Sequence, residues 1–136
     1  MSMFDSSKGA DMPEEADALD PSPHVPLSPA ALHIVLSLNR GERHGYAIMS
    51  DVERLSDGVI TLGPGTLYGT IKRLVADGLI EQTDTRPDPA LDDQRRKYYR
   101  LTALGASVCD AELQRLANLV ERTRHPAPIR LLGELS

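Results

Sequence analysis

Residues 62–81 read LGPGTLYGTIKRLVADGLIE, and the fold of the whole chain turns on them. Gly63, Pro64, Gly65 and Thr66 lead into a helix over about residues 65–76. Its apolar side chains Leu67, Ile71, Leu74 and Val75 recur at i, i+4, i+7 and i+8, which places them on one helical face. The opposite face is left to Thr66, Tyr68, Gly69, Thr70, Lys72 and Arg73. These are hydroxyls, an aromatic ring and two cations, with no carboxylate before Asp77. Gly78 ends the helix, and residues 79–84 continue as a strand.

Working back from this stretch, residues 59–62 are short and extended, and Ser56, Asp57 and Gly58 break an earlier helix. That helix starts at His44 or Gly45 and runs to Leu55, with Ile48, Val52 and Leu55 at i, i+4 and i+7 and Met49 widening the stripe. Residues 40–43 form a turn before it. Upstream again, residues 27–39 open with Ser28, a helix-capping type, and Pro29, whose missing N–H is not needed at a first helical position. The run from Ala30 to Leu38 then has almost no polar interruption, so this first helix is expected to be largely buried.

Working forward, residues 95–101 (RRKYYRL) form the return strand, with Tyr99 and Leu101 on the inward face and Tyr98 and Arg100 on the other. The loop at 85–94 is rich in Pro and Asp and too long for a tight hairpin. Thr102 caps a last helix to about residue 122, carrying Leu104, Val108, Cys109, Leu113, Leu116, Ala117, Leu119 and Val120. So broad an apolar stripe exceeds what three helices and a small hairpin can cover. A second copy of the same helix is the simplest partner, which assigns Leu104, Val108, Cys109, Leu113, Leu116 and Val120 to a dimer interface.

The order is helix, helix, turn, helix, two-stranded hairpin, helix. This is a mainly α fold with a small β-hairpin wing, a winged helix-turn-helix, plus a long C-terminal dimerisation helix. It divides the chain into a tail at 1–27, a DNA-binding domain at 28–101, a dimerisation helix at 102–124 and a short tail at 125–136. Such a module presents one helix to the major groove and grips phosphates at its flanks. The helix at 65–76 suits that role: its glycine-rich N-terminus admits a phosphate, Thr66, Tyr68 and Thr70 offer hydroxyls, and Lys72 and Arg73 supply charge. Arg95, Arg96 and Lys97 are a second basic cluster at the start of the wing's return strand, although alternation prevents all three from making the same contact.

The overall charge, taken alone, opposes this reading. The chain has 15 basic and 20 acidic residues, a formal net charge of -5. Residues 1–27, however, hold six of the acids and a single base, and so carry the entire imbalance, while the remainder is neutral. This stretch also holds four prolines and few apolar residues and is expected to be disordered. With one cysteine, Cys109, and four scattered histidines, neither an intramolecular disulfide nor a metal site is expected. No membrane span or signal layout is present, so the chain is expected to be cytoplasmic. An enzyme is not expected, because the Gly63 to Thr66 run lacks the lysine of a phosphate-binding loop and no catalytic constellation appears.

The runs LSLNRGERHGYAI (36–48), LGPGTLYGTIKRLVADGLIE (62–81) and RRKYYRLT (95–102) together resemble the PadR family of bacterial transcriptional regulators, over about residues 28–120. The resemblance implies a homodimer built on the C-terminal helix and repression of a nearby promoter; double-stranded DNA is the expected partner, and no cofactor is expected. Carried over, it places His44, Gly45 and Tyr46 at the start of the second helix with Tyr46 near a phosphate. It places Thr66, Tyr68 and Lys72 at DNA, and Arg95 to Lys97 in the wing. The chain departs from the family at Gly69, where proline is frequent, and in its longer, more acidic wing loop. Some members stack phenolic acids or planar drugs on aromatic side chains at the dimer interface. This chain has no Trp and no aromatic residue after Tyr99, so such a pocket is not expected and any effector is left unassigned. Cys109 reads as a small core thiol in preference to an intersubunit redox switch. The competing functional reading is a winged-helix adaptor that binds a protein, supported by the neutral charge of residues 28–136.

Overall fold

The computed structural model describes residues 19–83 and 97–124. α1 spans Pro29–Leu38, and Ser28 caps it as expected, its Oγ accepting the Ala31 N–H at 3.2 Å. α2 spans Gly45–Leu55 and α3 Pro64–Ala76. α3 ends because Gly78 takes φ +81°, a left-handed conformation that a side chain disfavours. The Gly78 and Leu79 N–H groups then bond back to the Val75 and Leu74 carbonyls, both at 3.0 Å. This pair of bonds closes the helix and turns the chain into the sheet.

The sheet has three antiparallel strands in the described residues, one more than the two-stranded hairpin expected. β1 is Arg43–His44, β2 is Ile80–Thr83 and β3 is Tyr98–Leu101, in the order β1-β3-β2. β3 pairs with β2 from Ile80 opposite Leu101 to Thr83 opposite Tyr98, and on its other edge with Arg43 and His44. Residues 40–43 were thus only partly a turn. A two-residue strand has no alternation to read, and it exists because β3 offers it a free edge. Residues 59–62 form no strand. The wing loop at 85–94, with Arg95 and Arg96, lies outside the described residues.

α1, α2 and α3 enclose the core around Ile34, Val35, Ile48, Val52, Leu67 and Ile71, all buried, and Leu79, Ile80 and Tyr99 close it from the sheet side. At about 1.5–3 kcal/mol for each fully buried aliphatic side chain, this cluster is the main stabilising term. α4 spans Ala103–Arg124, with the Thr102 Oγ1 accepting the Gly105 N–H at 3.0 Å. Its apolar stripe divides in two. Val108 and Cys109 are wholly enclosed in the chain's own core, whereas Leu113, Leu119 and Val120 are exposed. Val108 and Cys109 therefore offer no surface to a second copy, contrary to the sequence expectation, because the body of the domain reaches as far as Glu112 along this helix. Leu104 likewise packs in part on the core. Burial, with the charges of Asp110 and Glu112, raises the Cys109 thiol above its ordinary range, as suits a core thiol.

The chain before α1 also departs from expectation. Ser22–His24 forms a short 3-10 turn, and Val25 and Leu27 pack on the core. Glu112 of α4 is fully buried and holds this arm: one carboxylate oxygen accepts the Leu27 N–H at 2.8 Å, and Arg115 Nε donates to the other at 2.7 Å. Farther along, the Ser107 hydroxyl donates to the Leu19 carbonyl at 3.2 Å. Residues 19–27 are thus packed against the domain, although the sequence reading placed them in the tail. Residues 1–18 lie outside the described residues, as do 125–136.

Candidate nucleic-acid interface

Burial of Leu67, Ile71 and Leu74 fixes the rotation of α3 and leaves Thr66, Gly69, Lys72 and Arg73 exposed on its far side. The helix runs unbroken through Gly69. Gly63 is the N-cap and no side chain caps the end, so the first-turn N–H groups and the positive end of the helix dipole face outward. Such an end favours an anion.

Two of the predicted hydroxyls sit differently from Thr66. Thr70 is half-buried, and its Oγ1 donates to the Thr66 carbonyl at 2.8 Å, so its proton is already used within the helix. Tyr68 is half-buried at the edge of the exposed face, with its ring against Gly45. Its other side borders a shallow pocket of about 260 Å³ shared with Ile71, Lys72, Val75, Gln82 and Tyr99. Burial, then the nearby Tyr68, raises the Tyr99 phenol above its ordinary value, so it stays protonated at neutral pH.

His44 is the N-cap of α2: its Nδ1 accepts the Ala47 N–H at 3.2 Å, which requires an unprotonated Nδ1. Its ring meets Tyr98 edge-on at a centroid distance of 5.4 Å and Tyr46 at 6.5 Å. Of the predicted pair at the start of α2, His44 is thus engaged in capping while Tyr46 is exposed. Lys97, at the entry to β3, is exposed, and Arg95 and Arg96 lie outside the described residues.

Sequence reading missed the polar bracing behind this surface. Ser37 is buried and donates to Asp51 Oδ2 at 2.8 Å, Arg43 Nε lies 2.9 Å from the same oxygen, and Arg54 pairs with Oδ1 at 3.1 Å. One carboxylate thereby ties α1, β1 and α2 together. Burial alone would raise the Asp51 carboxyl, but the bonds from Ser37 and Arg54 and the charges of Arg43 and Arg54 outweigh it and hold the carboxyl below its ordinary value. Only the Asp51 and Arg54 spacing of i, i+3 was available in the sequence; the contacts with Ser37 and Arg43 are tertiary. Among the described residues no cluster of His, Cys, Asp and Glu could hold a metal ion, and no helix is long and apolar enough to cross a membrane.

The model of the transcriptional regulator PadR-like family matches residues 34–111. The chain is similar to an uncharacterized 37.1 kDa protein in transposon TN4556 of Streptomyces fradiae, 32% identical over 93 residues, covering 68% of this chain and 24% of that protein. It therefore spans about a quarter of that relative's length. It is also 31% identical over 88 residues to transcriptional regulator Rv3488 of Mycobacterium tuberculosis, covering 65% of this chain and 76% of that protein. Among solved structures it resembles a PadR family transcription regulator from Clostridium difficile, with a TM-score of 0.54 and 23% identity over 71% of this chain and 98% of that one. At that identity the likeness supports the fold.

Proposed function

The chain belongs to the PadR-like family of transcriptional regulators, and on that premise we propose that it is a homodimeric repressor that reads a pseudo-palindromic operator. In this reading each subunit sets α3 into the major groove, the two helices about 34 Å apart along the DNA. Thr66, Lys72 and Arg73 face bases and phosphates, Tyr46 meets a phosphate beside them, and the wing residues Arg95, Arg96 and Lys97 meet the backbone. Thr70 serves as an acceptor and His44 acts through the α2 N-terminus that it caps, while Tyr68 borders the same face with its hydroxyl turned to Gly45. The observation that carries the reading is the exposed face of α3, which bears two cations and no carboxylate.

The dimer rests on α4. Leu116 is half-buried, and Leu113, Leu119 and Val120 are exposed on the part of the helix that runs on beyond Glu112. A second copy of this segment is the self-complementary cover that a two-fold axis supplies.

The test is a gel shift on the DNA upstream of the chain's own gene, comparing wild type with Lys72→Ala/Arg73→Ala. Loss of two phosphate or base contacts lowers affinity by about a hundredfold or more. With about six to ten phosphates neutralised per dimer, wild-type binding weakens about a thousandfold or more between roughly 50 and 200 mM salt. The adaptor reading, favoured by the neutral charge of residues 28–136, predicts no such loss. Equal binding by the double variant would overturn groove reading by α3.

A further inference from the structure

Gly45 is buried as the first residue of α2. Its backbone is not in the left-handed region, in contrast to Gly41, Gly58 and Gly78, so no torsional demand explains a glycine there. Within a helix glycine is also less stable than alanine. Space explains it. A Cβ at position 45 would fall inside the Tyr68 hydroxyl and within 2.7 Å of ring Cζ and 3.0 Å of Cε1. These distances are shorter than a carbon side chain tolerates, so the Tyr68 hydroxyl and the ring edge that carries it are seated on bare backbone.

The seat joins three elements. Tyr68 belongs to the second turn of α3, touches the first residue of α2, and shares its pocket with Tyr99 of β3. The residue before Gly45, His44, pairs with Tyr98 of the same strand and caps α2. The start of α2 is therefore held by the sheet on one side and by the Tyr68 ring on the other. Tyr46 follows directly and is exposed.

We propose that Tyr68 is a positioning residue, acting through Gly45: its seated ring fixes the start of α2 relative to α3, so that Tyr46 and the Thr66, Lys72 and Arg73 face meet DNA as one rigid surface. The inference rests on the DNA-binding reading and sharpens it, since it makes the contact of Tyr68 with Gly45, not a contact with phosphate, the functional part. A loose seat costs affinity without removing a phosphate contact.

The experiment is a double-mutant cycle on Gly45→Ala and Tyr68→Leu, with Tyr68→Phe alongside. The probe is a short duplex selected from random DNA by the wild-type protein. Affinity is measured across a salt series and thermal stability in parallel. Tyr68→Phe should bind within about threefold of wild type, while Tyr68→Leu and Gly45→Ala each lose about tenfold or more, and the double variant loses no more than Tyr68→Leu alone. The salt slope should stay unchanged throughout. Overturning results are additive losses, an unchanged affinity in Tyr68→Leu, or a slope lowered by about 0.9 in Tyr68→Phe, the mark of a lost phosphate contact. Lower melting with wild-type affinity would reduce the seat to ordinary packing and also overturn the proposal. Should Gly45→Ala fail to fold, Tyr68→Leu and Tyr68→Phe decide the matter through affinity and slope. Failure of the wild type to select any duplex overturns the DNA-binding reading and this inference with it. Selection by the wild type with an additive cycle overturns this inference alone.

Discussion

Glu112 is a carboxylate in a place where its residue type is seldom enclosed, and three hydrogen bonds compensate its loss of water. Burial would raise its carboxyl, but the Arg115 bonds, the Leu27 N–H and the Arg115 charge prevail and hold it below the ordinary value. A depressed carboxyl contributes stability above its unfolded value and loses it as the pH falls through its folded value. Glu112→Gln should therefore cost about 1–3 kcal/mol at neutral pH. The deficit should shrink as the pH falls below the ordinary glutamate value of about 4.3, where wild type loses its own advantage. Urea unfolding of both proteins over that range checks this, and a deficit that grows toward acid pH would contradict it. At this scale the cations and hydroxyls of residues 66–73 could be read from the sequence, because they share one helical face. The Thr70 back-bond, the seated Tyr68 ring and the buried Glu112 could not, since each depends on an atom outside the periodic pattern.

α4 shows why an element can be legible while its surroundings are not. The stripe from Leu104 to Val120 follows from spacing alone, but spacing does not say where the rest of the domain stops. The body stops near Glu112, so Val108 and Cys109 became core, and Leu113, Leu119 and Val120 stayed outside. Leu119→Glu/Val120→Glu should leave helix content unchanged in circular dichroism. On the proposed dimer it should also halve the mass seen by light scattering, since each buried apolar side chain is worth about 1.5–3 kcal/mol and a two-fold axis counts each change twice. Retention of the dimer mass would remove these residues from the interface. The two-residue strand β1 illustrates the same point in reverse: it carries no pattern of its own and forms only where β3 presents an edge.

For the whole molecule the charge divides along the chain. Residues 1–18 hold five acids and one base, and the arm from Leu19 lies against α4. Deleting residues 2–18 should strengthen nonspecific DNA binding more than operator binding, because repulsion of phosphate by a remote charge is not tied to any base contact. The difference should fade as salt is raised. Equal effects on both kinds of DNA at low salt would make this stretch a bystander. Deletion through residue 26 should in addition lower thermal stability, since it removes the arm that packs on the core and reaches Ser107.

The sequence by itself determined the winged helix-turn-helix order, the helix limits to within a residue or two, and the basic face of α3. All of these follow from local periodicity, caps and turn residues, which act between near neighbours in the chain. Only the tertiary structure decided which half of the α4 stripe is core, that residues 19–27 fold back on that helix, that a third strand joins the sheet, and that a tyrosine needs a glycine 23 positions before it. These depend on distances between segments remote in sequence, and such distances exist only once the core has closed.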